Sequence, residues 1–191
     1  RLHAVTTLMM DAGPTEADSP AMRTGGLPLL PLGSEWPTCV ECDAPQQFLA
    51  HLPLPAGPTL AVFMCMDDPG MCAAFVPGSG ANAVVFVAGE VTPLAAPEDG
   101  VTGLDDVTAI TLAATDDVYD YPLPSGDVLG QFGGEPTWIQ HPETPDCPEC
   151  GQTMGFVLQL EEHSSINFGG AGAGYVFACR PCERGGFLFQ C

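Results

Sequence analysis

Two stretches of this chain superimpose without a gap at a spacing of 108 residues. Gly25, Gly26, Pro28, Pro37, Cys39, Glu41, Cys42, Phe48 and Leu52 are matched by Gly133, Gly134, Pro136, Pro145, Cys147, Glu149, Cys150, Phe156 and Leu160. Nine identities in one register point to an internal duplication, in which each copy is one supersecondary unit. The register then slips slightly, and Leu60–Cys65 aligns with Gly174–Cys179, as a change in loop length would produce.

The repeat is centred on cysteine. Eight of the nine cysteines form four close pairs, Cys39/Cys42, Cys65/Cys72, Cys147/Cys150 and Cys179/Cys182, and Cys191 is left over. A Cys-x-x-Cys turn places two thiolates on one side of a metal, and a second pair from a distant strand closes a tetrahedron. The expected partition is two structural Zn²⁺ sites, one of Cys39, Cys42, Cys65 and Cys72, the other of Cys147, Cys150, Cys179 and Cys182. The second pair of the first set is spread over six intervening residues, Met66–Met71. Disulfides and redox chemistry are the competing readings. The first belongs to small secreted chains, and the start of this chain shows no secretory pattern. The second wants a Cys-x-x-Cys opening a helix, whereas these motifs lie between prolines and strand-like runs.

Those runs are short and rich in β-branched and aromatic residues. Met154–Glu162, Thr59–Met66, Asn82–Gly89, Ala173–Cys179 and Gly185–Cys191 all have this character. Residues 106–122 read as a longer strand entering a polar linker. Twenty prolines and 23 glycines leave little room for long helices. Residues 41–54 admit a single helical turn, against the strand pattern of their repeat partner. The expected fold is mainly β, with a β-rich α+β arrangement as the alternative. Its parts are an N-terminal segment (1–24), a first unit (25–88), connecting strands and linker (89–131) and a second unit (132–191), packed as one globule.

Charge narrows the partners. The chain has 24 acidic residues, four arginines and no lysine, for a net charge of −20. Nucleic-acid affinity comes chiefly from Lys and Arg on phosphates, so a nucleic-acid partner is excluded, and the same field opposes anionic membranes. No apolar run is long enough for a membrane helix. A basic protein or peptide suits such a surface, and so does acidic genomic composition or a salty cytoplasm.

No GxSxG, HExxH or Walker pattern is present. The Gly169–Gly174 run precedes a strand and reads as a turn. Asp67/Asp68, Asp105/Asp106, Asp116/Asp117 and Glu161/Glu162 read as solvated turns and strand ends. His3, His51, His141 and His163 are scattered, and His51 stands where Gln159 stands in the other copy. No catalytic residue is assigned. Trp36 and Trp138, each between a Gly-Gly-x-Pro turn and a Cys-x-x-Cys, are candidate binding platforms or core plugs.

Taken together, Gly133-Gly134-x-Pro136-x-Trp138-Ile139-Gln140, Cys147-Pro148-x-Cys150-Gly151-x-x-Met154-x-Phe156-x-x-Gln159, Tyr175-Val176-Phe177-x-Cys179 and Phe187-x-x-Gln190-Cys191 resemble the YwqG-like family of bacterial proteins. That family is related to the programmed-cell-death-protein-2-like proteins. The resemblance covers residues 24–191. It implies a duplicated, β-rich domain without recognised enzymatic activity. Its eukaryotic members look like chaperones that hold a ribosomal protein, and its bacterial members have been connected with protein binding or toxin immunity. Cys65-x6-Cys72 departs from the family pattern. The resulting expectation is a cytoplasmic, non-enzymatic, zinc-stabilised domain binding a basic protein. The alternative is an enzyme with a pocket between the two halves.

Overall fold

The computed structural model describes residues 5–117, 119 and 126–191. His3 and part of the 89–131 linker lie outside the described residues. The chain is mainly β: the described residues form twelve strands and no helix. They are β1 (Thr6–Pro14), β2 (Arg23–Thr24), β3 (Leu29–Pro31), β4 (Gln47–Pro53), β5 (Thr59–Met64), β6 (Asn82–Val87), β7 (Val91–Pro93), β8 (Thr108–Thr115), β9 (Val128–Phe132), β10 (Gly155–Glu161), β11 (Ala173–Cys179) and β12 (Arg184–Gln190). The helical turn admitted by residues 41–54 gives way to β4, whose ladder to β5 satisfies backbone groups that a single turn would leave open.

Ten strands make one sheet in the order β12-β11-β10-β9-β1-β8-β2-β4-β5-β6, and β3 pairs with β7 alongside. The order is a palindrome of the two units. β2-β4-β5-β6 on one side mirrors β9-β10-β11-β12 on the other, and β1 and β8 lie between them. The leading strands are exchanged. β1 precedes the first unit but pairs with β9 of the second, while β8 precedes the second unit and pairs with β2 of the first. The outermost strands, β6 and β12, come back together, so the sheet nearly closes into a barrel. There the bare backbone of Gly185 lies where a Cβ would fall 2.3 Å from Val84 Cγ1.

The duplication persists to single hydrogen bonds. β4–β5 and β10–β11 each carry a register shift at the same place, Phe48/Ala50 and Phe156/Leu158. The carbonyls of the intervening Leu49 and Val157 accept from Gly25 N (2.9 Å) and Gly133 N (2.7 Å). These glycines open turns with φ of 75° and 79° at Gly25 and Gly26, and 65° and 75° at Gly133 and Gly134. Such left-handed backbone favours glycine. Gly25 has a second reason, since a Cβ there would meet the Asp106 carbonyl oxygen at 2.1 Å. One buried side chain then ties down each turn. Gln131 Nε2 donates to the Gly133 and Glu135 carbonyls, and the Arg23 guanidinium donates to those of Gly25 and Leu27.

The main core is shared by both units, with Met9, Leu49, Leu52, Leu60, Leu129, Leu158, Leu160, Phe168 and Phe187 in one cluster. Two smaller clusters cover the opposite face of each half. Trp36 packs on Phe48 and Phe63, and Trp138 packs on Tyr175 and Phe177. β5 and β11 are thereby covered on both faces, which explains why they read as continuous apolar runs and lack alternation.

Candidate metal centres

Each unit brings its four cysteines together at the open end of its central hairpin. In the first, Cys39 and Cys42 lie in the loop before β4, Cys65 follows the last residue of β5, and Cys72 lies in the loop beyond. In the second, Cys147 and Cys150 precede β10, Cys179 ends β11 and Cys182 sits in the turn to β12. Within each group all four sulfurs lie within 4.8 Å of one another. These are the two sets that the spacing predicts, and Cys191 stays apart as an exposed free thiol.

The loops that carry the first pairs are built alike. Cys39 N donates to the Ala44 carbonyl (2.8 Å), Asp43 N to that of Cys39 (2.9 Å) and Gln46 N to that of Pro37 (2.9 Å). The second unit repeats this with Cys147 N to Gln152 O (2.8 Å), Gly151 N to Cys147 O (2.8 Å) and Met154 N to Pro145 O (2.9 Å). The turn needs a left-handed residue after the second cysteine, supplied by Asp43 (φ 60°) and Gly151 (φ 69°). A Thr38–Pro45 bridge and an Asp146–Thr153 bridge close the two loops.

Sulfur spacing tests the fit of a metal. Cys42 Sγ and Cys65 Sγ are 3.6 Å apart, and Cys150 Sγ and Cys179 Sγ are 3.8 Å apart. A disulfide would require about 2.05 Å. A tetrahedron with metal–sulfur bonds of about 2.3 Å has edges of about 3.8 Å. Both groups can therefore hold a metal ion as they stand.

Backbone amides also prepare the sulfurs. Burial pushes the Cys147 thiol up, but the N–H groups of Cys150 and Glu149, together with the neighbouring thiols of Cys179 and Cys150, outweigh it and bring the pKa down to about 7. Cys39 is lowered in the same way, by N–H groups of Glu41 and Cys42 acting against burial. Burial raises Cys65 to about 11, and the crowding thiols of Cys150 and Cys179 raise Cys182 to about 12. Four thiols this close do not all ionise by mutual contact; a divalent cation lets them do so, and its binding releases their protons.

The surroundings of the two groups differ. Arg184 Nη2 reaches Glu149 Oε1 at 2.6 Å beside the second group, and Arg180 lines a cavity of about 680 Å³ there with Cys150, Cys179 and Cys182. At the first group, Glu41 Oε2 instead accepts from Ala73 N at 2.6 Å.

The two tryptophans and His163 have structural partners. Trp36 donates Nε1–H to the Gln46 carbonyl at 2.8 Å and meets Phe63 edge-on, and Trp138 stacks on Tyr175 with centroids 4.6 Å apart. His51 is buried across the ladder from Arg23, and His141 lies near Glu143 at the surface. His163 joins the two units, with Nδ1 at the Glu161 carbonyl (3.0 Å) and Nε2 at Thr24 Oγ1 (2.9 Å). Glu161 is not the solvated strand end its sequence suggests. It is 5% exposed, accepts from Tyr119 and from Gln159 Nε2, and burial raises its pKa. This polar seam had no motif to announce it; the one clue was that His51 occupies the position of Gln159. No helix among the described residues is long and apolar enough to cross a membrane.

No family model matches the chain. Over 63 residues, 32% of its length, it is 38% identical to the "Uncharacterized protein YpfL" of Salmonella typhimurium, and that match spans 15% of the relative.

Proposed function

We propose that this chain is a non-enzymatic protein-binding domain stapled by two structural Zn²⁺ ions, working in a reducing compartment such as the cytoplasm. The observation that carries the reading is the pair of four-thiol clusters with sulfur edges of 3.6 and 3.8 Å. Zinc is the metal of choice because it accepts four thiolates tetrahedrally and needs no redox partner. A shell of four thiolates leaves no ligand position for water or substrate, so such a metal serves the fold. The activity then resides on the surface that the metal holds in place. With a net charge of −20 and no lysine, that surface suits a basic protein, which a chaperone or immunity protein would hold. The resemblance to the YwqG-like family agrees with this role.

The test has two parts. Freshly purified protein should contain two zinc ions per chain, and chelation should unfold it, because ligand assembly and folding are coupled. Immobilised protein should then retain basic proteins at low salt and release them at high salt. Finding disulfides in place of metal, or retention indifferent to partner charge, defeats the proposal. The rival reading, an enzyme with a pocket between the two halves, would be favoured by a metal with an exchangeable ligand, which the visible spectrum of a cobalt-substituted sample would reveal on adding small anions.

A further inference from the structure

The duplication gives each position an internal control. Where the two units agree they build scaffold, and where they disagree one has been elaborated. The largest disagreement at the metal centres is the spacing of the second cysteine pair. Cys179 and Cys182 are separated by two residues, Cys65 and Cys72 by Met66-Asp67-Asp68-Pro69-Gly70-Met71.

We infer that this loop, with the cavity behind it, is the docking surface for a basic segment of a partner protein that carries one large apolar side chain. The inference rests on the protein-binding reading above and assigns it a place. Met71 is 76% exposed, and Phe75 and Val76 are 45% and 41% exposed, an apolar group in the midst of an acidic surface. Exposed apolar clusters of this kind mark interaction sites, and methionine adapts to varied partners. Of these residues, Phe75 joins Met66, Pro69, Ala74 and Phe189 in walling a cavity of about 440 Å³, and Met71 stands between two further lining residues, Gly70 and Cys72. That size lies within the range of pockets that seat an organic group.

The apolar residues stand on ordered backbone. Asn82 Nδ2 donates to the Ala74 and Val76 carbonyls at 2.8 and 3.0 Å, and Ser79 Oγ donates to Ala73 O at 2.8 Å. Phe75 rests edge-on against Phe189, with centroids 6.0 Å apart. Ordering before binding removes part of the entropy cost of association.

Charge selects the occupant. Asp67 and Asp68 are exposed between two residues that line the cavity, and the four thiolates with a divalent cation add about −2 beside them. Among the described residues no arginine lines this cavity. Arg23 is buried, Arg184 is paired with Glu149, and Arg180 lines the other cavity. Lysine or arginine on either side of an apolar anchor therefore meets attraction from these carboxylates and thiolates.

The experiment uses the zinc-loaded chain with its methionine methyls labelled with ¹³C. The probe is a synthetic peptide bearing one Phe between two Lys-Arg pairs. Titration should move the Met66 and Met71 methyl signals and leave those of the buried Met9, Met22, Met64 and Met154 in place. Replacing the peptide's Phe by Ala, or its basic residues by Glu, should weaken binding tenfold or more. The double variant Met71→Ser, Phe75→Ser should lose affinity by a similar factor with its zinc content unchanged. Leu32→Ser, at a residue 90% exposed elsewhere, should bind as the parent does. Binding that leaves Met66 and Met71 unmoved, survives the double variant, or fails for every basic peptide overturns the inference. The wider reading fails separately, if the immobilised protein shows no preference for basic proteins.

Discussion

The buried His51–Arg23 pair makes the pH dependence of stability predictable. Arg23 is fully buried, donates to the Ser19, Gly25 and Leu27 carbonyls, and lies over the Phe48 ring at 5.7 Å. His51 faces it across the β2–β4 ladder and is 4% exposed. Burial first, and then the neighbouring guanidinium, lowers the His51 pKa from 6.5 to about 4. The folded state thus keeps the imidazole neutral where the unfolded chain takes up a proton. Above pH 6.5 both states are neutral and the group contributes no pH dependence. As pH falls from there, stability is lost until the folded histidine also titrates, near pH 4. At about 1.4 kcal/mol per unit, a gap of about 2.5 units amounts to ~3 kcal/mol. The perturbation is His51→Gln, the residue found at the matching position of the other unit. Urea unfolding of both proteins, followed by tryptophan fluorescence at several pH values between 7 and 4, isolates the effect as the difference between them. Metal loss in acid is common to both proteins and cancels. The difference should shift by about 3 kcal/mol in favour of the variant as pH falls. Parallel pH profiles, or a His51 ring proton titrating near 6.5 by NMR, would refute the reasoning.

Other perturbations follow from the same geometry. Asp43→Gly puts into the first loop the residue that the second loop already uses, and should stabilise by about 0.5 kcal/mol by relieving left-handed backbone, read from the urea midpoint. Gly130→Ala should destabilise by about 3 kcal/mol or more, because φ is +154° and a Cβ there would lie 1.9 Å from the Gln159 carbonyl oxygen. The check is a depressed melting temperature or insoluble expression. Cys147→Ser should reduce bound zinc from two to one per chain, measured by elemental analysis, and unfold the second hairpin first in hydrogen exchange.

What could be read in advance followed from periodicity. The in-register cysteines located both four-thiol clusters, and β5, β6, β10, β11 and β12 stand where apolar runs announced them. β1 was not legible. Its sequence, Thr-Thr-Leu-Met-Met-Asp-Ala-Gly-Pro, neither alternates nor runs apolar, and of its nine residues only Met9 is fully buried. It is a strand because β8 and β9 flank it, an effect of tertiary pairing on weak local propensity. β2, two residues long, is likewise made by its neighbours. The Tyr119–Glu161 and His163–Thr24 contacts were hidden for a related reason. They join residues 42 and 139 positions apart, and an isolated polar residue in a strand gives no sign of which distant group will satisfy it.

The exchange of leading strands has a consequence for the order of events at the ribosome. Residues 6–14 emerge well before their partners, residues 108–115 and 128–132. The first metal loop and the β4–β5 hairpin are complete by residue 72, so the first ion can be captured while the amino-terminal strand still waits unpaired. Contacts of such long sequence separation form late and slowly. Until those partners appear, this part of the nascent chain is a half-sheet with an open flank. That flank is sealed only when the second copy of the unit begins to appear.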